Sequence, residues 1–207
     1  GPANAAFTFT YPQNLAALAR FGEITYFSPL ADAALPAGTD FLYLPGGYPE
    51  LFAGALHANA ALRASIAAYC AAGGATYAEC GGLMYLGQSI IDAAGQAFAM
   101  VGALPCTTSM ENAKMTLGYR AVEWNGLTIK GHEFHYSALH DHGLTPVPAR
   151  ITSAKGAPVS AAIYRQGNVW ASYLHLYWGE DSAFIERLLG VAAGSGAGVN
   201  NKLGNTF

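Results

Sequence analysis

The sequence predicts an α/β fold in which a mostly parallel central sheet is flanked by helices and carries an antiparallel extension. Three observations lead there. In the first half, short apolar runs alternate with segments of helical period, the order that builds parallel sheets with helices on both faces. In the second half, alternating strand-like runs follow one another with hairpin-like links. The composition is 52% hydrophobic but only 11% charged, which suits strands buried on both faces or an exterior that another protein part covers.

The elements follow in chain order. NLAALARF (14–21) reads as a short helix stopped by Gly22, EITYFSPL (23–30) as a strand, and FLYLP (41–45) as a strand entering Gly46-Gly47. A helix is expected over 56–72, where Leu62, Ile66, Tyr69 and Cys70 keep the 3.6-residue period and Gly73-Gly74 marks the end. ATYAE (75–79) is a buried strand and GGLMYLGQSI (81–90) a helix. GYRAVEW (118–124), LTIKGHEFHYS (127–137), VSAAIYR (159–165) and NVWASYLH (168–175) are strands of the extension. DSAFIERLLG (181–190) is a helix capped by Asp181 or Ser182 and stopped by Gly190.

With 207 residues the chain fits one elaborated domain, against a prior of roughly 150 residues per domain. Ten basic and thirteen acidic residues give a net charge of −3 without a basic cluster, which argues against nucleic acid as a partner. No apolar run approaches the ~18 residues of a membrane span, and no leader-like segment opens the chain. Gly1-Pro2 matches the pair a processing protease leaves, and the stretch from Gly194 reads as linker. The three cysteines, Cys70, Cys80 and Cys106, are odd in number and lack close spacing, so a reducing cytoplasm is expected rather than a disulfide scaffold.

Cys80 is the informative thiol. In Thr76-Tyr77-Ala78-Glu79-Cys80-Gly81-Gly82 a buried strand ends and a helix begins at once. A nucleophile often sits on such a strained turn, which small neighbours permit. The helix N-terminus is expected to lower the thiol pKa, and its free amides to hold an oxyanion. The alternative is a structural cysteine at the edge of a core. A second glycine pair, in Pro45-Gly46-Gly47-Tyr48-Pro49-Glu50, ends an earlier strand. Loops at the carboxyl ends of parallel strands gather on one side, so the Gly47 and Gly81 amides can complete one oxyanion hole. Taken alone, Pro-Gly-Gly is merely a turn.

Of the six histidines, His175 ends a strand and precedes a loop and helix, where an imidazole can serve the thiol as base. Alternation puts His132 and His135 on opposite faces and leaves Glu133 with His135. A metal reading of HEFH and HDH would need ligands converging from separate loops, of which spacing gives no sign, and no metal is expected.

These residues resemble a known family. FLYLPGGYPEL (41–51), YAECGGLMYLG (77–87), LGYR (117–120), GHEFHYS (131–137) and ASYLHLYW (171–178) look like the glutaminase domain of cobyrinic or hydrogenobyrinic acid a,c-diamide synthase. AFTFTYPQNL and FSPL match that domain's opening, so the resemblance runs over about residues 6–190. It implies a class I, triad-type glutamine amidotransferase of flavodoxin-like fold, with Cys80 as nucleophile and His175 as its activator. Residues 5–191 would then be the glutaminase domain and 192–207 a flexible tail, with the ATP-dependent synthetase domain absent. The chain itself would need no cofactor. Its ammonia would go to the a and c carboxylates of a corrin precursor, which the partner synthetase activates with ATP and Mg²⁺. Tyr48, Arg120 and Glu111 are candidate glutamine contacts, and a homodimer is allowed.

Three departures from the family pattern bear on these expectations. Most class I relatives place a Glu two residues after the histidine, where this chain has Tyr177; the cobyrinate branch usually lacks that Glu and commonly carries His there, with Phe in place of Trp178. Glu180 or a backbone carbonyl would then orient His175, or the pair would act as a dyad. The hydrophobic strand that normally precedes AFTFTYP is replaced by GPAN, so a sheet strand is expected to be missing. No GxxxxGK[ST] occurs, and Lys155 lacks phosphate-loop spacing. Readings beside the lead are the glutaminase subunit of another ligase of the lineage, such as one amidating a cell-wall precursor, an inactive scaffold of the same fold, and a small thiol hydrolase.

Overall fold

A computed structural model describes residues 6–140, 142–179, 183–193 and 202–205. In chain order the elements are α1 (Pro12–Ala19), β1 (Glu23–Thr25), β2 (Phe41–Leu44), α2 (Ala53–Ala58), α3 (Ala60–Ala71), β3 (Ala75–Glu79), α4 (Gly81–Leu86), β4 (Ser89–Ile91), β5 (Ala97–Ala99), β6 (Thr107–Ser109), β7 (Thr116–Trp124), β8 (Leu127–His135), β9 (Ala138–His140), β10 (Arg150–Ser153), β11 (Ile163–Gln166), β12 (Val169–Ser172), β13 (His175–Tyr177), α5 (Ala183–Ala193) and β14 (Lys202–Asn205).

The central sheet has the order β1-β14-β2-β3-β12-β11. All its pairings are parallel except the β11–β12 hairpin at one edge. β2 and β3 are buried at every position, as strands covered on both faces must be. One face packs against α2, α3 and α4 through Leu42, Leu44, Leu56, Leu62, Ile66 and Leu83. The other packs against α1 and α5, with Tyr43, Tyr77 and Trp170 meeting Leu18, Phe184 and Ile185. An antiparallel sheet, β10-β7-β8-β13, closes over this second face, and a small sheet, β5-β4-β6-β9, lies beside the first.

The flavodoxin-like α/β class is thus observed, with adjustments that have local causes. The helix expected over 56–72 is two helices, because Asn59 leaves helical geometry (φ −82°, ψ 65°) and its side chain accepts from the Leu62 N–H as an N-cap. The run 81–90 is helical only to Leu86, and Ser89–Ile91 turn into β4. NVWASYLH is not one strand of the extension. Residues 169–172 join the central sheet beside β3, while His175–Tyr177 join the antiparallel sheet beside β8. Within the segment expected to be a flexible tail, Lys202–Asn205 are instead a strand that pairs in parallel with both β1 and β2, an interior position in the sheet; 194–201 and 206–207 lie outside the described residues. The caps Asp181 and Ser182 lie outside the described residues, as does Glu180.

Candidate active site

The turn from β3 into α4 carries Cys80 at φ 47°, ψ −104°, a conformation that costs a non-glycine residue energy and that surrounding packing must enforce. The enforcement is visible. Cys80 N–H donates to Ser172 O at 2.7 Å, and the two glycines after it fit where no side chain would. A Cβ on Gly82 would lie 2.4 Å from Leu44 O, and one on Gly81 would lie 3.0 Å from Gly47 N. The two glycine loops are therefore in contact, as their places at neighbouring strand ends require. The flanking amides of Gly46 and Tyr48 donate to Phe9 O and Ala6 O, which pins the loop while Gly47 N faces Gly81.

His175 stands on the other side of the same loop. A Cβ on Gly46 would fall 2.1 Å from its Cε1, so the imidazole lies directly on the glycine backbone. The ring stacks on His132 at 4.6 Å and 8° and leans on Phe9. The register His175↔His132 places it two residues along β8 from Phe134, whose carbonyl receives the Cys80 thiol at 3.7 Å. Two residues of strand are about 7 Å, the separation along β8 between the ring's stacking partner His132 and the carbonyl that receives the thiol. The thiol donates to the Phe134 carbonyl rather than to the imidazole.

The electrostatics reverse one expectation. Burial pushes the Cys80 thiol far up, with the Glu50 carboxylate adding to it, and the pull of the Gly81 amide is too weak to compensate. A short helix end does not outweigh removal from water here. Burial likewise lowers His175 to about 3, with His132 and His135 contributing. At neutral pH Cys80 is a thiol and His175 a neutral imidazole.

Other expected contacts are placed as follows. Tyr48 meets Phe9 and Phe134 edge-on at the rim. Arg120 is engaged by Glu133, Nε to Oε1 at 2.8 Å. Glu133 and His135 share a face, as alternation requires, with Nε2 3.0 Å from Oε2. Burial raises Glu133, but the bonds to His135 and Arg120 prevail and hold it below the usual carboxylate range. Beside the site opens a cavity of about 370 Å³ lined in part by Glu111, Lys114, Glu133, His135, Ser137 and Tyr173. Among the described residues no three His, Cys, Asp or Glu side chains converge to hold a metal, and no helix is long and apolar enough to cross a membrane.

A strained cysteine elbow, two glycine loops in contact and a histidine packed on one of them, set on an α/β sheet, accord with a glutamine amidotransferase. Residues 2–183 match the CobB/CobQ-like glutamine amidotransferase domain, and the chain belongs to that family. It is 40% identical over 185 residues to the hydrogenobyrinate a,c-diamide synthase of Rhodobacter capsulatus, covering 85% of this chain and 42% of that protein. The Pseudomonas aeruginosa protein of the same name is 42% identical (84% and 40% covered). The cobyrinate a,c-diamide synthase of a Synechocystis strain is 38% identical (88% and 39% covered). The chain thus spans about two fifths of the length of these relatives. A solved glutamine amidotransferase shares the fold at TM-score 0.58 and 19% identity, over 92% of this chain and 98% of that one. The cell-wall alternative finds no support among these relatives.

Proposed function

We propose that the chain hydrolyses glutamine and supplies the ammonia to the synthetase portion of a cobyrinate or hydrogenobyrinate a,c-diamide synthase. The observation that carries the reading is the convergence of Cys80, His175, Gly47 and Gly81 around one loop. Cys80 Sγ attacks the side-chain amide carbon of glutamine while its proton passes to His175. The Gly47 and Gly81 amides receive the oxyanion. His175 returns the proton to the departing nitrogen, ammonia leaves, and a water deprotonated by the same imidazole cleaves the thioester to glutamate. The neighbouring cavity suits a zwitterionic head group, offering Lys114 to a carboxylate and Glu111 or Glu133 to an ammonium. Tyr48 closes the rim; Arg120 acts through Glu133.

Exposed apolar side chains support a covering partner. Leu117 and Tyr119, 60% and 76% exposed, pair across β7–β8 with Phe134 and His132 and so rise from the face that carries His132. A synthetase portion seated there, which uses ATP and Mg²⁺ to activate the corrin carboxylates, would cover them and receive the ammonia. The enzyme is expected to work in the cytoplasm.

Cys80→Ala is the test. It should abolish both glutamate release and covalent labelling by a glutamine-like diazoketone, with the far-UV circular dichroism unchanged. Labelling that persists in the variant, located by mass spectrometry at another residue, overturns the assignment.

A further inference from the structure

The strand that carries His175 is held from behind by two buried side chains that the reaction does not use. β13 pairs with β8 on one edge; its other edge faces the interior, where the peptide groups of Leu176 would lack partners. Glu79 Oε2 accepts from the Leu176 N–H at 2.5 Å. Asn14 Nδ2 donates to Leu176 O at 2.7 Å, and Asn14 Oδ1 accepts from the Trp178 N–H at 3.0 Å. Glu79 is 1% exposed, and its Oε1 accepts from the Tyr43 hydroxyl at 2.7 Å. Among the described residues the groups that face it are the acids Tyr11, Tyr43, Tyr77 and Cys80, and no cation pairs with it. A buried carboxyl without a cation is costly, so packing alone does not account for it.

Its place in the chain does. Glu79 is joined by one peptide bond to Cys80 and by one hydrogen bond to the residue after His175. β3 and β13 belong to different sheets, so no ladder bond fixes their relation. Tyr177, at the position two beyond the histidine, is 37% exposed and packs on Tyr11, leaving the imidazole without an acid from its own strand.

Resting on the glutaminase reading, we propose that Glu79 is a positioning residue: by tying the Leu176 amide to the residue before Cys80, it fixes the imidazole against the thiol across the seam between the two sheets. Substrate binding, which involves the cavity and rim, is not its task. Loss of the tie frees β13 to shift and should act on the chemical step alone.

The test is inactivation of the full chain by the diazoketone, with saturating rate and half-saturating concentration measured separately. Glu79→Ala should lower the saturating rate by about 100-fold, as misplacement of a reacting group by about 1 Å does, with half-saturation within about threefold. Glu79→Gln keeps an oxygen that can accept from Leu176 N–H, and should stay within about fivefold of the parent rate. If Glu79→Ala does not fold, Glu79→Asp, too short to reach Leu176, takes its place with the same expected split. A parent-like rate in the Ala or Asp variant overturns the proposal, as does equal loss in the Gln variant. A parent chain that is not labelled, or a Cys80→Ala chain that is, shows instead that the glutaminase reading has failed, and the proposal falls with it.

Discussion

At the scale of single residues, two buried groups titrate in opposite senses. Glu79 is raised by burial to about 8 from 4.5. The folded chain therefore holds a proton that the unfolded chain has released across that interval. Its contribution to stability is complete below 4.5 and is lost as pH rises through 8. His175 is lowered by burial to about 3 from 6.5. The unfolded chain takes up the proton first, so this contribution is complete above 6.5 and is lost as pH falls through 3. Between about 4.5 and 6.5 the two slopes oppose each other, and stability declines on either side. Glu79→Gln removes only the alkaline decline. Melting temperatures of parent and variant should therefore diverge in favour of the variant between pH 5 and pH 8.5, and a constant difference would contradict the assignment. Gly46 gives a second residue-scale prediction. A methyl group there would sit 2.1 Å from His175 Cε1, so the ring must move. Gly46→Ala should cost about 1–3 kcal/mol in denaturant unfolding and about 100-fold in diazoketone labelling.

At the scale of elements, β14 bears a structural load disproportionate to its four residues. It lies between β1 and β2 and pairs with both, so without it β1 has no partner in the sheet and β2 presents an open edge. Deleting residues 194–207 should lower the melting temperature by at least ~4 °C, given about 2–4 °C per kcal/mol for a chain of this size, and should promote association through the exposed edge. An unchanged melting curve would show that the strand contributes nothing. In sequence this segment reads as a linker because a single short run of Lys-Leu-Gly-Asn has neither alternation nor length. β3 was legible to the residue because ATYAE is an apolar run bounded by glycine pairs. The division of 168–175 was not legible: Ser172 Oγ donates to Ala162 O and accepts from Leu174 N–H, ending β12 by contacts that periodicity cannot reveal. The three-residue strands of the small sheet were equally invisible. The elbow and the glycine loops could be read because backbone approach dictates glycine. Asn14, His132, Phe134 and Glu79 could not, since their roles arise where the sheets meet, with Glu79 and Leu176 97 positions apart. The one readable signal was a carboxylate within an otherwise apolar strand.

At the scale of the whole molecule, the neutral resting pair and the exposed apolar face bear on the same event. A thiol that burial keeps protonated and that points at the Phe134 carbonyl instead of at His175 would react slowly until its surroundings change. Glutamine alone can supply part of that change by entering the pocket. A partner covering Leu117 and Tyr119 would press on β7, which is paired along its length with β8, the strand that carries both the Phe134 carbonyl and His132. Seating the partner would then reach the Phe134 carbonyl that holds the thiol and the His132 ring stacked on His175. Such coupling would confine ammonia release to the assembled enzyme. Adding the synthetase portion of a 40%-identical relative should therefore raise glutamate release severalfold. Leu117→Lys with Tyr119→Lys should remove that stimulation, because two ammonium groups would be desolvated in an apolar contact. The basal rate of the isolated chain should be unaffected, since both side chains are exposed. Stimulation that survives the double substitution, measured by glutamate release against synthetase concentration, would move the docking face elsewhere on the molecule.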